Sequence, residues 1–381
     1  MSHPQPAPAA QQPKTMGLTG CTNCIVFEHC GGHPKPVIYQ AGCANYASST
    51  TPKDTDDMNP HFENQFWKLW NDVEGLDDYK VRKLRPINPA GLPRYIPVLQ
   101  GQHLRPTQPL DPLVVALPLF HVVGRRKDGC YGPKFPSAAA LRVAYKLRKD
   151  TRVLLIGVDH DPPLETFWAK HRSNGVCHSL ARLGLEVTVP NFSFFTCVPR
   201  FQILRNRKRI LLTAARLSEA GARVSPHLNA NTPGDWAFWL KFLEQHPEVT
   251  TVTMEFQTGA RQDKAVGDEA FNSLVSTVKS LDRPIHCLLV GAARYYKPAC
   301  DQLPAFTVID SVPFMYAQKR YVLVKTGPGH YMLKHVQTQK LASLQAHFES
   351  TLQHYEKMLS KSPGKPRSLP KQCSAQAEFL Y

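Results

Sequence analysis

The 381-residue sequence contains no stretch of about 18 consecutive apolar residues, the length a helix needs to cross a bilayer, so no membrane-spanning helix is expected. Its first twenty residues are rich in Pro, Gln and Ala and have no apolar signal-peptide core, so a cytoplasmic protein is expected. No Gly-x-Gly-x-x-Gly turn follows the early apolar runs, which removes the phosphate-binding fingerprint of a dinucleotide fold. Acid is in short supply. Against 46 Lys plus Arg stand only 30 Asp plus Glu, a formal charge of +16. A field of that sign attracts polyanions, nucleic acid first among them, although one sign of charge also serves solubility alone.

Cysteine is not scarce. Ten cysteines in a reducing compartment argue against a disulfide scaffold and for a metal centre. Cys21 and Cys24 form a Cys-x-x-Cys pair, Cys30 and Cys43 follow, and His29 and His33 lie nearby. Two thiolates on one turn reach one ion, and two more ligands complete a tetrahedral zinc site or hold an iron–sulfur cluster. Four protein ligands leave no open position, so such a centre is expected to be structural; unbound thiols are the alternative. Cys177, Cys197 and Cys287 sit in apolar runs and read as core residues. No organic cofactor is implied.

The apolar fraction of 42% is enough for a substantial core. Residues 1–20 are expected to be disordered, 21–95 to form a Cys-rich N-terminal subdomain, 96–335 a catalytic domain, 336–360 a C-terminal helix and 361–381 a basic disordered tail. Within the central region, candidate strands begin near Leu113, Val153, Leu185, Ala222, Val249, Pro284, Ala305 and Tyr321. Stretches of helical pattern lie between them, at Ser137 to Lys149, Leu164 to Leu183, Phe201 to Ala220, Pro233 to Gln245 and Asp268 to Leu281. Ser137 offers one helix cap, and Thr232-Pro233-Gly234-Asp235 offers another with a proline in the first turn. Eight strands alternating with helices predict an α/β protein of the (β/α)8 TIM-type barrel class. Its last two units are short, so a distorted or incomplete barrel falls within the same expectation. Leu341, Leu344, Phe348, Leu352, Tyr355 and Leu359 recur at helical spacing and predict a helix that packs on the barrel or docks a partner.

The apolar runs end on polar side chains. Val153 to Val158 leads into Asp159-His160-Asp161, Leu185 to Val189 into Asn191, Val224 into His227 and Asn229, Val249 to Met254 into Glu255 and Gln257, and Phe306 to Ile309 into Asp310. In a parallel barrel such tips gather at one mouth. A glutamate after a β-type run needs a partner or substrate to offset lost hydration. Two or three carboxylates at one cavity suit glycosidic bond cleavage, and equally a divalent metal site. A loop-stabilising or capping role is the alternative for Asp159, and more so for Asp161 before its two prolines. The third constellation is Phe192-Ser193-Phe194-Phe195, Arg200-Phe201 and Arg205-Asn206-Arg207-Lys208-Arg209. Its cations suit phosphates and its rings suit unstacked bases, unless the run is an ordinary solvated helix face. Arg294 adds a further backbone contact.

The segment Val308-Ile309-Asp310-Ser311-Val312-Pro313-Phe314 followed by Gln318-Lys319-Arg320 resembles the late-strand signature of tRNA-guanine transglycosylases. Gly157-Val158-Asp159 is similar to the other aspartate region of those barrels, and a Cys-rich metal site belongs to the same superfamily. The likeness spans residues 113–325 as architecture and only the Asp310 segment as a motif. No Ser-Gly-Gly-Phe-Gln turn follows Asp159, and the cysteines stand at the N-terminus rather than near the C-terminal end. These departures resemble the DNA-directed branch, which includes 7-deazaguanine DNA transglycosylases and anti-phage glycosylases that remove modified bases.

The resemblance implies a DNA glycosylase-type enzyme that leaves an abasic site, or a transglycosylase that exchanges the base on DNA or tRNA. A displaced base would enter the mouth. Asp310 would stabilise or trap the sugar cation and Asp159 would contact the base or activate the incoming group. Glu255, Asn191, His227, Asn229, Gln257 and Asp161 would orient the base, while Arg200, Arg205, Arg207 and Arg294 hold phosphates. A non-catalytic nucleic-acid-binding module and a metal-dependent nuclease are the readings from other classes.

Overall fold

The structure is a computed structural model that describes residues 63–76, 81, 83–172, 175–192, 194, 200–258, 261 and 263–361. Cys21, Cys24, Cys30 and Cys43 lie outside these residues, as do the N-terminal segment 1–20 and residues 362–381. Among the described residues no helix is long and apolar enough to cross a membrane.

The elements follow in chain order. Helix α1 (Glu63–Asp72) precedes β1 (Tyr95–Pro97) and β2 (Val114–Pro118). Next come α2 (Leu119–Val122), the small antiparallel pair β3 (Val123–Arg125) and β4 (Tyr131–Pro133), and α3 (Ala138–Ala144). The chain continues with β5 (Arg152–Ile156), α4 (Asp161–Lys170), α5 (Val176–Arg182), β6 (Glu186–Thr188), α6 (Arg200–Glu219) and β7 (Arg223–Ser225). Then follow α7 (Pro233–Gln245), β8 (Thr251–Glu255), α8 (Lys264–Lys279), β9 (His286–Val290), α9 (Tyr296–Gln302), β10 (Ala305–Asp310) and α10 (Val312–Gln318). A hairpin of β11 (Tyr321–Gly327) and β12 (His330–His335) leads to the last helix, α11 (Gln345–Lys361).

Local chemistry explains several boundaries. Ser137 Oγ accepts the Ala140 N–H at the start of α3. At α7, Thr232 and Asp235 form a reciprocal capping box with Pro233 in the first turn, as the sequence predicts. The long helix expected from Leu164 to Leu183 is two helices, with Gly175 between them at φ 61°, a left-handed conformation that glycine adopts without steric cost.

Two four-stranded parallel sheets organise the molecule, in the orders β2-β5-β6-β7 and β1-β10-β9-β8. This is an α/β architecture with parallel strands. Single parallel bridges link the two sheets, Val98 opposite Ala116 and His227 opposite Thr253. The Leu99 N–H donates to the Ala116 carbonyl at 2.9 Å, and the Leu228 N–H to the Thr253 carbonyl at 2.8 Å.

One buried apolar cluster draws Ile96 and Val98, Leu288, Val290 and Ile309 from one sheet together with Val114, Ala116, Leu154 and Ile156 from the other, with Ile87 beside them. The larger cluster lies on the opposite, outer faces of the strands, between strands and helices. Where the inner face, the one shared by the two sheets, is polar it pairs internally. Arg152 holds Glu186 at 2.7 Å, Ser225 meets Thr253 at 2.7 Å and His286 meets Thr307 at 2.9 Å, which satisfies groups that burial would otherwise penalise.

Three assignments are corrected. The run from Tyr321 pairs antiparallel with β12 and joins neither parallel sheet. A parallel strand that the sequence leaves unmarked is β1, three residues long, paired with β10 in the register Tyr95–Val308. Residues 336–344 precede α11 rather than belonging to it. Leu344, Phe348, Tyr355 and Leu359 are buried in the outer cluster, so this helix packs on the body of the protein.

Candidate functional site

The carboxyl ends of β5 to β8 bring together most of the polar tips. Beyond β5, Gly157 lets the chain run close to β6. A Cβ there would stand 2.5 Å from the Thr188 carbonyl oxygen and 2.7 Å from the Pro190 nitrogen. Its carbonyl accepts the Asn191 N–H at 2.6 Å, and its N–H donates to Thr188 Oγ1 at 2.9 Å. The tips carrying Asp159 and Asn191 are thereby tied to each other.

From β7, Asn229 Nδ2 donates to Asn191 Oδ1 at 2.6 Å and to the Phe192 carbonyl at 3.2 Å. Arg261 reaches across from the loop after β8. Its Nη1 donates to Asn229 Oδ1 at 3.4 Å and to the Glu255 carbonyl at 3.3 Å, and its Nη2 to the Ala230 carbonyl at 3.4 Å. The whole guanidinium is buried, and burial lowers its pKa while Glu255 and Asp235 oppose that shift.

Glu255 is 2% exposed. Its Oε1 accepts the N–H groups of Gln257 and Thr258, and Oε2 accepts the Thr258 hydroxyl at 2.8 Å. Burial nonetheless raises its pKa. Gln257 packs over Gly291 at the tip of β9, where a Cβ would lie 2.4 Å from the Gln257 Cβ.

His227 is fully buried, and neither ring nitrogen has a hydrogen-bond partner among the described residues. Burial pushes its pKa down to about 3, with the Arg261 guanidinium adding to the effect. The ring is therefore neutral at ordinary pH, with one donor and one acceptor to offer. Leaving such a group buried and unsatisfied costs about 1–3 kcal/mol.

Asp159 sits at the tip of β5 with its side chain 19% exposed. One carboxylate oxygen, Oδ1, is bound by the His160 N–H and ring; Oδ2 has no hydrogen bond among the described residues. His121, just past β2, lies in the same field: burial, Lys134 and His103 lower its pKa, and Asp159 raises it. Asp161 begins α4, an acid in the first turn that complements the helix dipole.

Asp310 faces the other way. It follows Ile309, which belongs to the inner cluster, so strand alternation turns its side chain to the outer face. There it accepts the Tyr95 hydroxyl at 2.7 Å, the Val312 N–H at 2.9 Å and the Tyr355 hydroxyl at 3.3 Å. The structure therefore does not bring Asp310 together with the Asn191–Asn229–Arg261–Glu255 group. Burial raises its pKa above the ordinary 3.8, and the two phenols and the Val312 N–H work against that.

Above pH 3.8 the unfolded chain has released this proton and the folded chain retains it, so stability is lost as pH rises through the folded pKa. Asp310→Asn is expected to remove that loss. Urea midpoints measured from about pH 4 upward should fall less steeply for the variant than for the wild type; equal slopes would mean that the carboxyl is solvated.

The cations of α6 are structural, which corrects their expected contact with phosphates. Arg205 Nη2 holds Asp72 at 2.6 Å, Arg207 Nη1 holds Asp235 at 2.8 Å, and Arg209 makes a two-pronged pair with Glu165 at 2.8 and 2.7 Å. Arg207 also lies 3.8 Å from the centre of the Phe238 ring and Arg209 3.9 Å from that of Phe192. None of the three is more than 8% exposed. Arg200 opens the helix, and its side chain lies outside the described residues. Arg294 braces the loop after β8 by donating to the carbonyls of Arg261 and Asp263.

Arg261 is a site residue that the sequence reading passes over. It comes six residues after Glu255, beyond the polar ends of the apolar runs. No family model matches this chain, and neither does any curated protein. Among the described residues no group of three or more His, Cys, Asp or Glu side chains is arranged to hold a metal ion. The expected zinc or iron–sulfur ligands lie outside them. Cys177 and Cys287 are buried, with thiol pKa values pushed up to about 11 and about 12 by burial, in keeping with core residues.

Proposed function

We propose that the two four-stranded sheets are halves of one (β/α)8 barrel, and that its mouth cleaves the N-glycosidic bond of a modified base in DNA. Bridges at both seams and one apolar cluster fed by both sheets support the closed form. The observation that carries the function is the buried His227, with both ring nitrogens open, beside the Asn191–Asn229–Arg261–Glu255 network. A flat ligand with donors and acceptors on its edge would supply what the His227 ring lacks, and a base turned out of its stack is such a ligand.

Asp159 takes the role that the resemblance gives to Asp310. Its open Oδ2 faces the positive charge that develops on the sugar as the bond from C1′ to the base breaks and the electron pair leaves with the base. Water then adds to C1′ and an abasic site remains; addition of a second base instead would give exchange. The charge of +16 supports a polyanionic partner. The pairs made by Arg205, Arg207 and Arg209 remove equal numbers of each sign, so the excess resides on other side chains.

Incubating the full chain with DNAs of several modification types, with and without chelator, tests the reading. Free base detected by mass together with alkali-labile sites is the expected result. Labelled free base entering DNA would assign exchange instead, and strand breaks without alkali that vanish on chelation would assign a nuclease. Tight DNA binding with no release would leave only a binding module.

A further inference from the structure

A cavity of about 150 Å³ opens between the connection from β1 to β2 and the segment that leads into α11. Its polar lining comes from His103, Arg105, Gln318, Arg320, Thr338 and Gln339, and no acidic residue lines it. Neither the Arg105 nor the Arg320 guanidinium has an ion pair or hydrogen bond among the described residues, unlike the buried arginines of α6. The Thr338 hydroxyl is buried without a hydrogen-bond partner. Three main-chain segments meet here through the Leu344 N–H to the Leu104 carbonyl at 2.8 Å and the Val336 N–H to the Arg320 carbonyl at 2.9 Å.

The backbone is also unusual at this place. Arg105, Arg320 and Leu341 have φ of 46°, 59° and 71°, a left-handed conformation that side-chain-bearing residues adopt at a cost. They are three of the five non-glycine residues of positive φ among the described residues, and all three line this one cavity. Arg105 and Arg320 are exposed, and backbone strain at two cationic residues that border one cavity is consistent with a ligand clamp. Two unpaired guanidiniums, an imidazole, amide donors and no carboxylate complement a compact anion that accepts several hydrogen bonds.

We propose that this cavity is a phosphate-binding subsite, with Arg105 and Arg320 as its cationic jaws. His103 and Arg105 come from the connection that follows the carboxyl end of β1. A phosphate held there belongs to a strand whose base occupies the mouth, which rests on the nucleic-acid reading above, or to a free phosphate-bearing ligand.

The test uses the full chain and two probes, inorganic phosphate by calorimetry and a short single-stranded DNA by fluorescence anisotropy over a salt series. Arg105→Gln/Arg320→Gln is expected to bind inorganic phosphate at least about tenfold more weakly. The dependence of log K on log salt for DNA should flatten by about 0.7, the value for one phosphate on a single strand. Loss of phosphate binding with an unchanged DNA slope assigns the site to a free ligand. Unchanged binding of both probes overturns the proposal.

Neither side chain has a partner among the described residues, so the thermal midpoint of the double variant should match the wild type. If it does not, Arg320→Gln alone supplies the same two readouts. Base release is not measured in either arm, so failure of the subsite and failure of the glycosidic reading remain distinguishable.

Discussion

Asp235→Ala is expected to destabilise the protein by about 3–5 kcal/mol, visible as a large drop in the urea midpoint. Asp235 is completely buried and Arg207 is 2% exposed. Removing the carboxylate takes the Nη1 partner from a buried guanidinium that cannot return to water without opening α6. The same carboxylate accepts the Asn231 N–H at 3.0 Å, and the Thr232 N–H and hydroxyl at 3.2 Å each, so the helix cap is lost too, for about 1 kcal/mol more. Against a total stability of about 5–15 kcal/mol the sum is severe. Replacing both partners together, Arg207→Met with Asp235→Leu, should recover most of the loss, because apolar side chains of similar volume carry no desolvation cost. A variant Asp235→Ala as stable as the wild type would mean that Arg207 finds solvent or another anion. The same pair explains why Arg207 variants should act through folding and leave the salt dependence of DNA binding unchanged.

Asp159→Asn is expected to lower base release by about 10²–10³-fold with little change in the thermal midpoint. The amide keeps the shape and an acceptor for the His160 N–H, but carries no charge to set against the sugar cation. Its side chain is 19% exposed at a strand tip, where substitutions cost little stability. Asp310→Asn should show the reverse, near-normal release with an altered pH dependence of stability. The two variants therefore separate the geometry from the motif resemblance. Activity lost in Asp310→Asn and retained in Asp159→Asn would return the catalytic role to Asp310 and overturn the assignment made here.

The alternation of strand and helix was legible because the parallel strands are largely buried on both faces and several end on polar residues. The same double burial hid the direction of Asp310. In β10 every residue after Ala305 is buried, so no period of two distinguishes the inner face from the outer, and only pairing with β1 settles it. That pairing partner was itself obscured, since Tyr95–Pro97 is a three-residue strand beside prolines, whereas the run from Tyr321 has stronger β character and takes its partner from the next turn.

The cations of α6 were misleading for a different reason. Their partners Asp72, Asp235 and Glu165 lie 133, 28 and 44 residues away, and a charge run in sequence carries no record of what meets it. His227 and Asn229 were legible as tips. That both nitrogens of His227 are open is a property of the packed site alone.

The hydroxyl of Tyr95 and the carboxylate of Asp310 are 215 residues apart in the chain, which has a bearing on biosynthesis. At ribosomal speeds of about 5–20 residues per second, β1 leaves the tunnel about 10–40 s before its pairing partner exists. Strands β2, β5, β6 and β7 pair largely in the order they are made, so that half can assemble while translation continues. The half containing β1 must wait for β10, and Tyr355 of α11 closes over the buried carboxylate last of all. A nascent chain arrested before residue 305 would keep β1 without its pairing partner β10.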